Sequence, residues 1–176
     1  MIIFFGENGS NAMNLLYLNF PIKAAFTNKK NSKLIPILKA LKIPVFIIDS
    51  FEGLKEKLET IDHKLIISMG FLKIFPKEIT DNFNIINMHP SILPEYKGLN
   101  AFELSYKNKK AMGITYHWVN EKLDSGEIIE QIKLNYNNCK NIETAKLLLK
   151  YNEYKYTPII IYREYRKILK RENSCN

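Results

Sequence analysis

Residues 2–11 read IIFFGENGSN and predict the first unit of the fold. The run Ile2–Phe5 is apolar and short, which is typical of a buried strand. The polar segment that follows holds two glycines, which let the backbone turn tightly. A helix is predicted next, with Ser10 or Asn11 able to cap its first turn. A strand, a glycine-containing loop and a helix in this order indicate an α/β fold.

The same alternation continues along the rest of the chain. Apolar runs of strand length are separated by segments with helical periodicity. We predict strands at 2–5, 22–27, 43–48, 65–68, 85–88, 113–119 and 128–134, and helices near 34–41, 51–61 and 101–107, after Pro76, and from Ile142. Pro158 is expected to kink or end the last helix. This order predicts one domain over residues 1–176, with an open, mostly parallel twisted sheet flanked by helices.

The composition is that of an ordinary soluble enzyme, with 46% hydrophobic and 25% charged residues. No apolar run approaches the roughly 20 residues that a membrane-spanning helix needs, so no membrane partner is expected. Cys139 and Cys175 have neither a metal-binding nor a redox spacing. We therefore expect reduced thiols and a cytoplasmic location.

The net charge of +8 allows two interpretations. A basic surface can indicate binding to nucleic acid or to phosphorylated substrates. Lysine, however, greatly outnumbers arginine, and asparagine and isoleucine are also abundant, which indicates a compositional bias. We therefore do not expect nucleic acid as a partner.

The polar segment 6–11 is the first candidate site. It follows a predicted strand, and ligands of open α/β sheets bind beyond the carboxyl ends of the strands. The helix N-terminus behind it would suit an anion such as phosphate. Its two glycines do not have the spacing of the dinucleotide-binding fingerprint. The segment is thus either a phosphate-binding loop or a capped turn without a ligand.

Asn87 and His89 form the second candidate, within the sequence NMHPS at 87–91. Residues two apart on a strand share a face, and Pro90 keeps His89 in an extended conformation. An amide and an imidazole side by side can both donate hydrogen bonds to a developing oxyanion. A histidine can also transfer protons near neutral pH. A lone histidine after a strand is often structural, so the spacing alone leaves both interpretations open.

Asp124, in the sequence LDSG at 123–126, is the third candidate. Asp-Ser-Gly is usually a simple turn. At the edge of a sheet, its carboxylate could instead face a histidine on a neighbouring strand and raise that histidine's proton affinity. The three histidines show no ligand spacing and Cys139 has no adjacent histidine, so we expect no metal.

Taken together, these segments resemble the folate-dependent formyltransferase family. Residues 86–94, INMHPSILP, and YKG at 96–98 are similar to the family's Asn-x-His-Pro-Ser-Leu-Leu-Pro signature. The LDSG at 123–126 is similar to the family's aspartate loop, and GITYHWV at 113–119 to the strand before it. The sequence GFLKIF at 70–75 is similar to the segment that lines the folate pocket. The resemblance covers nearly the whole chain and is greatest to the members that formylate glycinamide ribonucleotide.

The resemblance implies an enzyme of purine biosynthesis that moves a formyl group from 10-formyltetrahydrofolate to the amine of glycinamide ribonucleotide. It implies that Asn87 and His89 stabilise the tetrahedral oxyanion. Asp124 would orient and charge His89 and help to move a proton, through water, from the attacking nitrogen to the leaving folate nitrogen. The implied partners are small molecules only, and the implied state is a monomer or homodimer that needs no metal.

The resemblance also assigns two groups of binding residues. The folate cosubstrate would be held by Gly70, Phe71, Leu72, Lys73, Ile74, Phe75, Val119 and Leu123. The phosphate and ribose of the acceptor would be held by Gly9, Ser10, Asn11, Pro90 and Glu153. The family usually has Met-Arg where this chain has Leu72-Lys73, and Gly-Gly where it has Ser125-Gly126. Any folate contact that needs a guanidinium group would therefore be lost.

Four related functions remain as alternatives. An N-formyltransferase acting on an amino-sugar nucleotide would use the same three catalytic residues. A methionyl-tRNA formyltransferase would suit the basic charge, but it normally has a further C-terminal domain for which this chain has no room. A formyltetrahydrofolate hydrolase normally has an added N-terminal domain. A non-catalytic folate- or nucleotide-binding protein would not need Asn87, His89 and Asp124 together.

Overall fold

The computed structural model describes residues 1–174, and within that range the chain forms seven strands and six helices. The strands are β1 (Ile2–Phe5), β2 (Ala24–Thr27), β3 (Val45–Ile47), β4 (Ile66–Met69), β5 (Ile85–His89), β6 (Gly113–Trp118) and β7 (Ile128–Lys133). The helices are α1 (Ser10–Tyr17), α2 (Leu34–Ala40), α3 (Leu54–Glu59), α4 (Lys77–Thr80), α5 (Ala101–Asn108) and α6 (Ile142–Ser174). None of these helices is long and apolar enough to cross a membrane.

All seven strands belong to one sheet, in the order β3-β2-β1-β4-β5-β6-β7. Strands β1 to β5 run parallel to one another, whereas β6 is antiparallel to both β5 and β7. The predicted open and mostly parallel sheet is confirmed. The chain reverses its direction of winding at β1, so the carboxyl ends of β1 and β4 border a crevice of the kind in which α/β proteins bind ligands.

The central strand β1 is apolar throughout because both of its faces are covered. On β1, Ile3 and Phe5 face a core formed with α1, α2 and α6. Ile2 and Phe4 face the opposite core, formed with α3 and α4. A third core lies between β6, α5 and α6, around the fully buried Tyr116. These cores fix the strand ends that border the crevice.

Two predicted strands are shorter in the structure than in the sequence pattern. β2 begins at Ala24 rather than at residue 22, and β3 covers only 45–47 of the predicted 43–48. β3 lies at the edge of the sheet, and only Val45, Phe46 and Ile47 have partners on β2. Pairing therefore limits both strands, although their apolar runs are longer.

α6 differs most from its prediction. Pro158 does not end this helix, which continues to Ser174. Ile160, Ile161 and Ile168 on its later turns are buried against the sheet. Their burial offsets the roughly 3 kcal/mol that an internal proline costs a helix. Cys175, for which a reduced thiol is expected, lies outside the described residues.

Candidate active site

A cavity of about 620 Å³ opens at the carboxyl ends of β1, β4 and β5. Its wall consists of residues 6–11, 68–75, 87–90 and 98–103, parts of 117–124, and Lys150 and Glu153 of α6. Every catalytic and binding residue that the sequence resemblance assigns lies on this wall. The parallel sheet explains the convergence, because it brings loops that are distant in sequence to one edge.

Asn87, His89 and Asp124 lie together as one cluster on this wall. Asn87 and His89 lie on β5, two residues apart, with both side chains directed towards the loop after β6. Nδ1 of His89 lies 3.2 Å from Oδ2 of Asp124, and Nδ2 of Asn87 donates to Oδ1 of Asp124 at 3.4 Å. The side chains of His89 and Asp124 are only 5% and 8% exposed, so little water screens their interaction.

The loop between β5 and α5 holds both His89 and Asp124 through its backbone. Nε2 of His89 donates to the carbonyl oxygen of Tyr96 at 2.9 Å, which fixes one proton on that nitrogen because a carbonyl can only accept. The backbone N–H of Gly98 donates to Oδ2 of Asp124 at 2.8 Å. Tyr96 and Gly98 have φ values of 50° and 78°, and this left-handed backbone turns both groups towards the cluster.

Burial and hydrogen bonding set the charges of the cluster. Burial lowers the pKa of His89 below its ordinary value of 6.5, and the Asp124 carboxylate and the Tyr96 carbonyl offset that effect only in part. Burial raises the pKa of Asp124, but the contact with His117 and the hydrogen bond from the Gly98 N–H outweigh it, so the pKa lies below 3.8. At neutral pH, Asp124 is thus ionised. Nδ1 of His89 is ready to take a proton, which would turn its contact with Asp124 into an ion pair.

The side of the cavity formed by residues 70–75 alternates between buried and exposed side chains. Phe71 and Phe75 are buried and pack against the ring of Phe4. Leu72 and Ile74 are 64% and 53% exposed at the cavity mouth. The buried rings therefore make a rigid base, and the exposed aliphatic side chains offer an apolar surface to a ligand.

The opposite side of the cavity is polar and includes the N-terminus of α1. Gly9 precedes this helix with a φ of 57°, and its N-terminus has no side-chain cap among the described residues. The expected cap from Ser10 or Asn11 is therefore wrong. The N–H groups of the first helical turn have no intrahelical partners, so this helix end is suited to an anion.

Glu153 is the acidic group of this polar side. It is 4% exposed, which excludes the alternative of an ordinary solvated helix residue. Its Oε2 accepts from Nδ2 of Asn11 at 2.9 Å and from Nζ of Lys150 at 2.5 Å. Oδ1 of Asn11 is buried and has no hydrogen-bond partner among residues 1–174, which indicates that a donor completes this side when a ligand binds.

Comparison with known proteins assigns this cavity to a family. A family model described as formyl transferase matches residues 23–159, which include β5, β6 and the Asp124 loop. The chain belongs to the formyl transferase family. The resemblance seen in the sequence is thus confirmed, and this formyl transferase is an enzyme.

Two relatives that this formyl transferase matches over most of their own length carry the same name. The chain is 30% identical over 152 residues to the phosphoribosylglycinamide formyltransferase of Haemophilus influenzae, covering 80% of this chain and 72% of that protein. It is 29% identical over 177 residues to the Bacillus subtilis protein of that name, covering 90% and 91% of the two chains. The solved structure of the Campylobacter jejuni protein of that name has a TM-score of 0.83 at 27% identity, covering 93% of this chain and 96% of the other.

Sequence reasoning missed one member of the cluster in this formyl transferase. His117 of β6 is paired with Asn87 of β5 in the antiparallel register, and their Nε2 and Nδ2 atoms are 3.2 Å apart. Nε2 also lies 3.5 Å from Oδ1 of Asp124, while Nδ1 donates to the Trp118 carbonyl at 2.9 Å. The sequence placed His117 on one face of its strand, but only the register shows that this face meets Asn87.

Proposed function

We propose that this formyl transferase moves the formyl group of 10-formyltetrahydrofolate to the amine of glycinamide ribonucleotide. One observation carries the proposal: the Asn87-His89-Asp124 cluster lies between an apolar side and an anion-binding side of a single cavity. Such a cavity can hold an aromatic donor and a phosphorylated amine with their reacting groups at the cluster. The names of the relatives from H. influenzae and B. subtilis support this assignment.

The apolar side is suited to the folate donor. Leu72, Ile74 and Leu123 are exposed at the mouth, and a flat aromatic ring system could cover them. Gly70 and Val119 border the same side, and their backbone groups would bond to the polar edge of the pterin. The amino group of Lys73, at the position where the family usually has arginine, donates to the Asp49 carbonyl oxygen.

The polar side is suited to the acceptor. The N–H groups at the start of α1, after Gly9, would bind the phosphate, and Lys150 would add a positive charge. The carboxylate of Glu153 would accept hydrogen bonds from the ribose hydroxyls. The amine at the other end of the acceptor would then reach the catalytic cluster, with Pro90 along its path.

The cluster would assist both charge and proton movement. Of the two N–H groups of the Asn87 amide, one donates to Asp124 and the other faces Nε2 of His117, and the second would turn from His117 to stabilise the oxyanion that forms on the formyl group. Nδ1 of His89 would take the proton that the attacking amine loses, through water, and return it to the leaving folate nitrogen. The ionised Asp124 would stabilise His89 while it carries that proton.

A direct assay tests the proposal. The enzyme is mixed with 10-formyltetrahydrofolate and glycinamide ribonucleotide, and absorbance reports the release of deformylated folate. Release that depends on glycinamide ribonucleotide supports the proposal. Release that depends only on an amino-sugar nucleotide would replace it with the alternative acceptor, and no release with either acceptor would reject both.

Glu153→Gln is expected to weaken acceptor binding. The amide keeps the size of the side chain but loses the charge that Lys150 and the ribose hydroxyls would contact. We expect the KM for glycinamide ribonucleotide to rise about tenfold, with the KM for the folate unchanged. Glu143→Gln, at a 74% exposed position of the same helix, is the control and should change neither KM. An unchanged acceptor KM in E153Q would contradict the role of Glu153.

The pH profile of kcat/KM is expected to report His89. The acceptor amine has an ordinary pKa of about 8 and attacks only when neutral, so kcat/KM should first fall below that pH whatever the state of His89. Because the pKa of His89 lies below 6.5, its Nδ1 takes a proton only at lower pH, and a second, steeper fall should follow there, since a charged His89 cannot accept a further proton. Initial rates at subsaturating substrate between pH 5 and 9 provide the measurement, on the order of one point per half pH unit. A second fall that begins above pH 6.5 would contradict this assignment.

A further inference from the structure

The carbonyl oxygen of Tyr154, next to Glu153 on α6, lacks its usual helical partner. In a continuous helix this oxygen accepts from the N–H of the residue four positions later. That residue is Pro158, which has no N–H and whose ring also crowds the carbonyl. The turn that follows Glu153 therefore lacks one of the backbone hydrogen bonds of a 33-residue helix.

Asn14 of α1 supplies the missing donor. Its Nδ2 bonds to the Tyr154 carbonyl oxygen at 2.9 Å, across the contact between α1 and α6. Asn14 lies three residues after Asn11, so both side chains lie on the same face of α1. Asn11 in turn donates to Glu153 at 2.9 Å. Two parallel bonds therefore connect consecutive residues of α6 to one face of α1.

We propose that Asn14 is a positioning residue for the acceptor, acting through the Tyr154 carbonyl that Pro158 leaves without a partner. Asn14 does not line the cavity, but the two elements that it connects do: the loop before α1 and the α6 turn with Lys150 and Glu153. The bond fixes the spacing between the phosphate-binding helix end and the ribose-binding carboxylate. This inference rests on the proposed function for the identity of the acceptor.

Asn14→Ala tests the proposal in combination with Pro158→Ala. Asn14→Ala should raise the KM for glycinamide ribonucleotide about fivefold and leave the KM for 10-formyltetrahydrofolate unchanged. In the double variant, the Pro158→Ala substitution restores a backbone N–H to the Tyr154 carbonyl, so the acceptor KM should return close to the wild-type value. Pro158→Ala alone should retain that value, because the carbonyl then has two donors available.

Asn82→Ala is the matched control. The amide of Asn82 donates to the Glu78 carbonyl at 2.8 Å, a bond of the same kind and length, but it lies away from the cavity. This variant should change neither KM. An unchanged acceptor KM in Asn14→Ala, or a double variant that is as impaired as Asn14→Ala, would overturn the proposal.

Hydrogen–deuterium exchange separates this inference from the proposed function. In the free enzyme, Asn14→Ala should speed exchange of the amides at 153–157, and Pro158→Ala should reverse the effect. Exchange could be faster in Asn14→Ala although the wild-type enzyme does not formylate glycinamide ribonucleotide. That result would support the role of the Asn14–Tyr154 bond and reject only the proposed acceptor. Unchanged exchange in Asn14→Ala, together with normal formylation by the wild-type enzyme, would reject the role of the Asn14–Tyr154 bond and leave the proposed function unaffected.

Discussion

Asp124→Asn is expected to lower kcat about 10³-fold, the effect of removing a proton-transfer partner from a catalytic site. The amide has the same shape and can still accept the hydrogen bond from the Gly98 N–H at its remaining oxygen. It cannot, however, stabilise the positive charge that His89 acquires when it takes the proton of the amine. Loss of the carboxylate also removes a contribution that raises the pKa of His89. Any residual activity should therefore decline at lower pH than in the wild type.

Steady-state rates and folate binding are measured together on this variant. Folate binding should remain measurable, because the apolar side of the cavity is unchanged. Asp81→Asn, which removes an exposed carboxylate paired with Lys77, serves as the control and should keep the wild-type rate. A wild-type rate in Asp124→Asn would reject the catalytic role proposed for Asp124.

Gly126→Ala should disrupt both the fold around the cluster and the activity. A methyl group at this position would lie 1.7 Å from the carbonyl oxygen of Trp118, a backbone atom at the end of β6 that cannot rotate away. That carbonyl also accepts from Nδ1 of His117, so its displacement would disturb the cluster directly. We expect a loss of about 3 kcal/mol in the free energy of unfolding, the cost of severe overpacking, together with most of the activity.

Chemical denaturation and activity assays on Gly126→Ala and Gly53→Ala check this expectation. An added methyl group at Gly53 has no atom within 4 Å, and its φ of 67° costs about 1 kcal/mol in left-handed strain. The control should therefore lose little stability and no activity. Equal stability losses in the two variants would contradict this prediction, because they would show that the loop can move the added methyl group away from the Trp118 carbonyl at little cost.

The sequence predicted some strands and helices of this enzyme more accurately than others. Continuous apolar runs identified the strands in the middle of the sheet, because a strand buried on both faces requires such a sequence. The predicted β2 and β3 were longer than the observed strands, because a strand ends where its hydrogen-bonded pairing ends and not where its apolar run ends. The sequence pattern predicted where α6 begins but not that the helix continues beyond Pro158. That continuation depends on the burial of Ile160 and Ile161 against the sheet.

The cluster of Asn87, His89 and Asp124 was likewise predictable only in part. Asn87 and His89 share a face because a strand has a period of two, which the sequence alone determines. The nearness of Asp124 came from resemblance to a family, since a turn sequence does not indicate what the turn faces. The bonds from His89 to Tyr96 and from Gly98 to Asp124 could not be predicted, because they depend on left-handed residues along a loop.

The sequence by itself determined the class of the fold, the strand that carries Asn87 and His89, and the family. These properties are local, because strand and helix periods repeat over a few residues and motifs occupy short segments. The tertiary structure alone decided that His117 completes the cluster and that Glu153 is a buried group of the cavity. The Asn11–Glu153 bond joins residues 142 positions apart, and only the packing of α1 against α6 brings such groups within hydrogen-bonding distance.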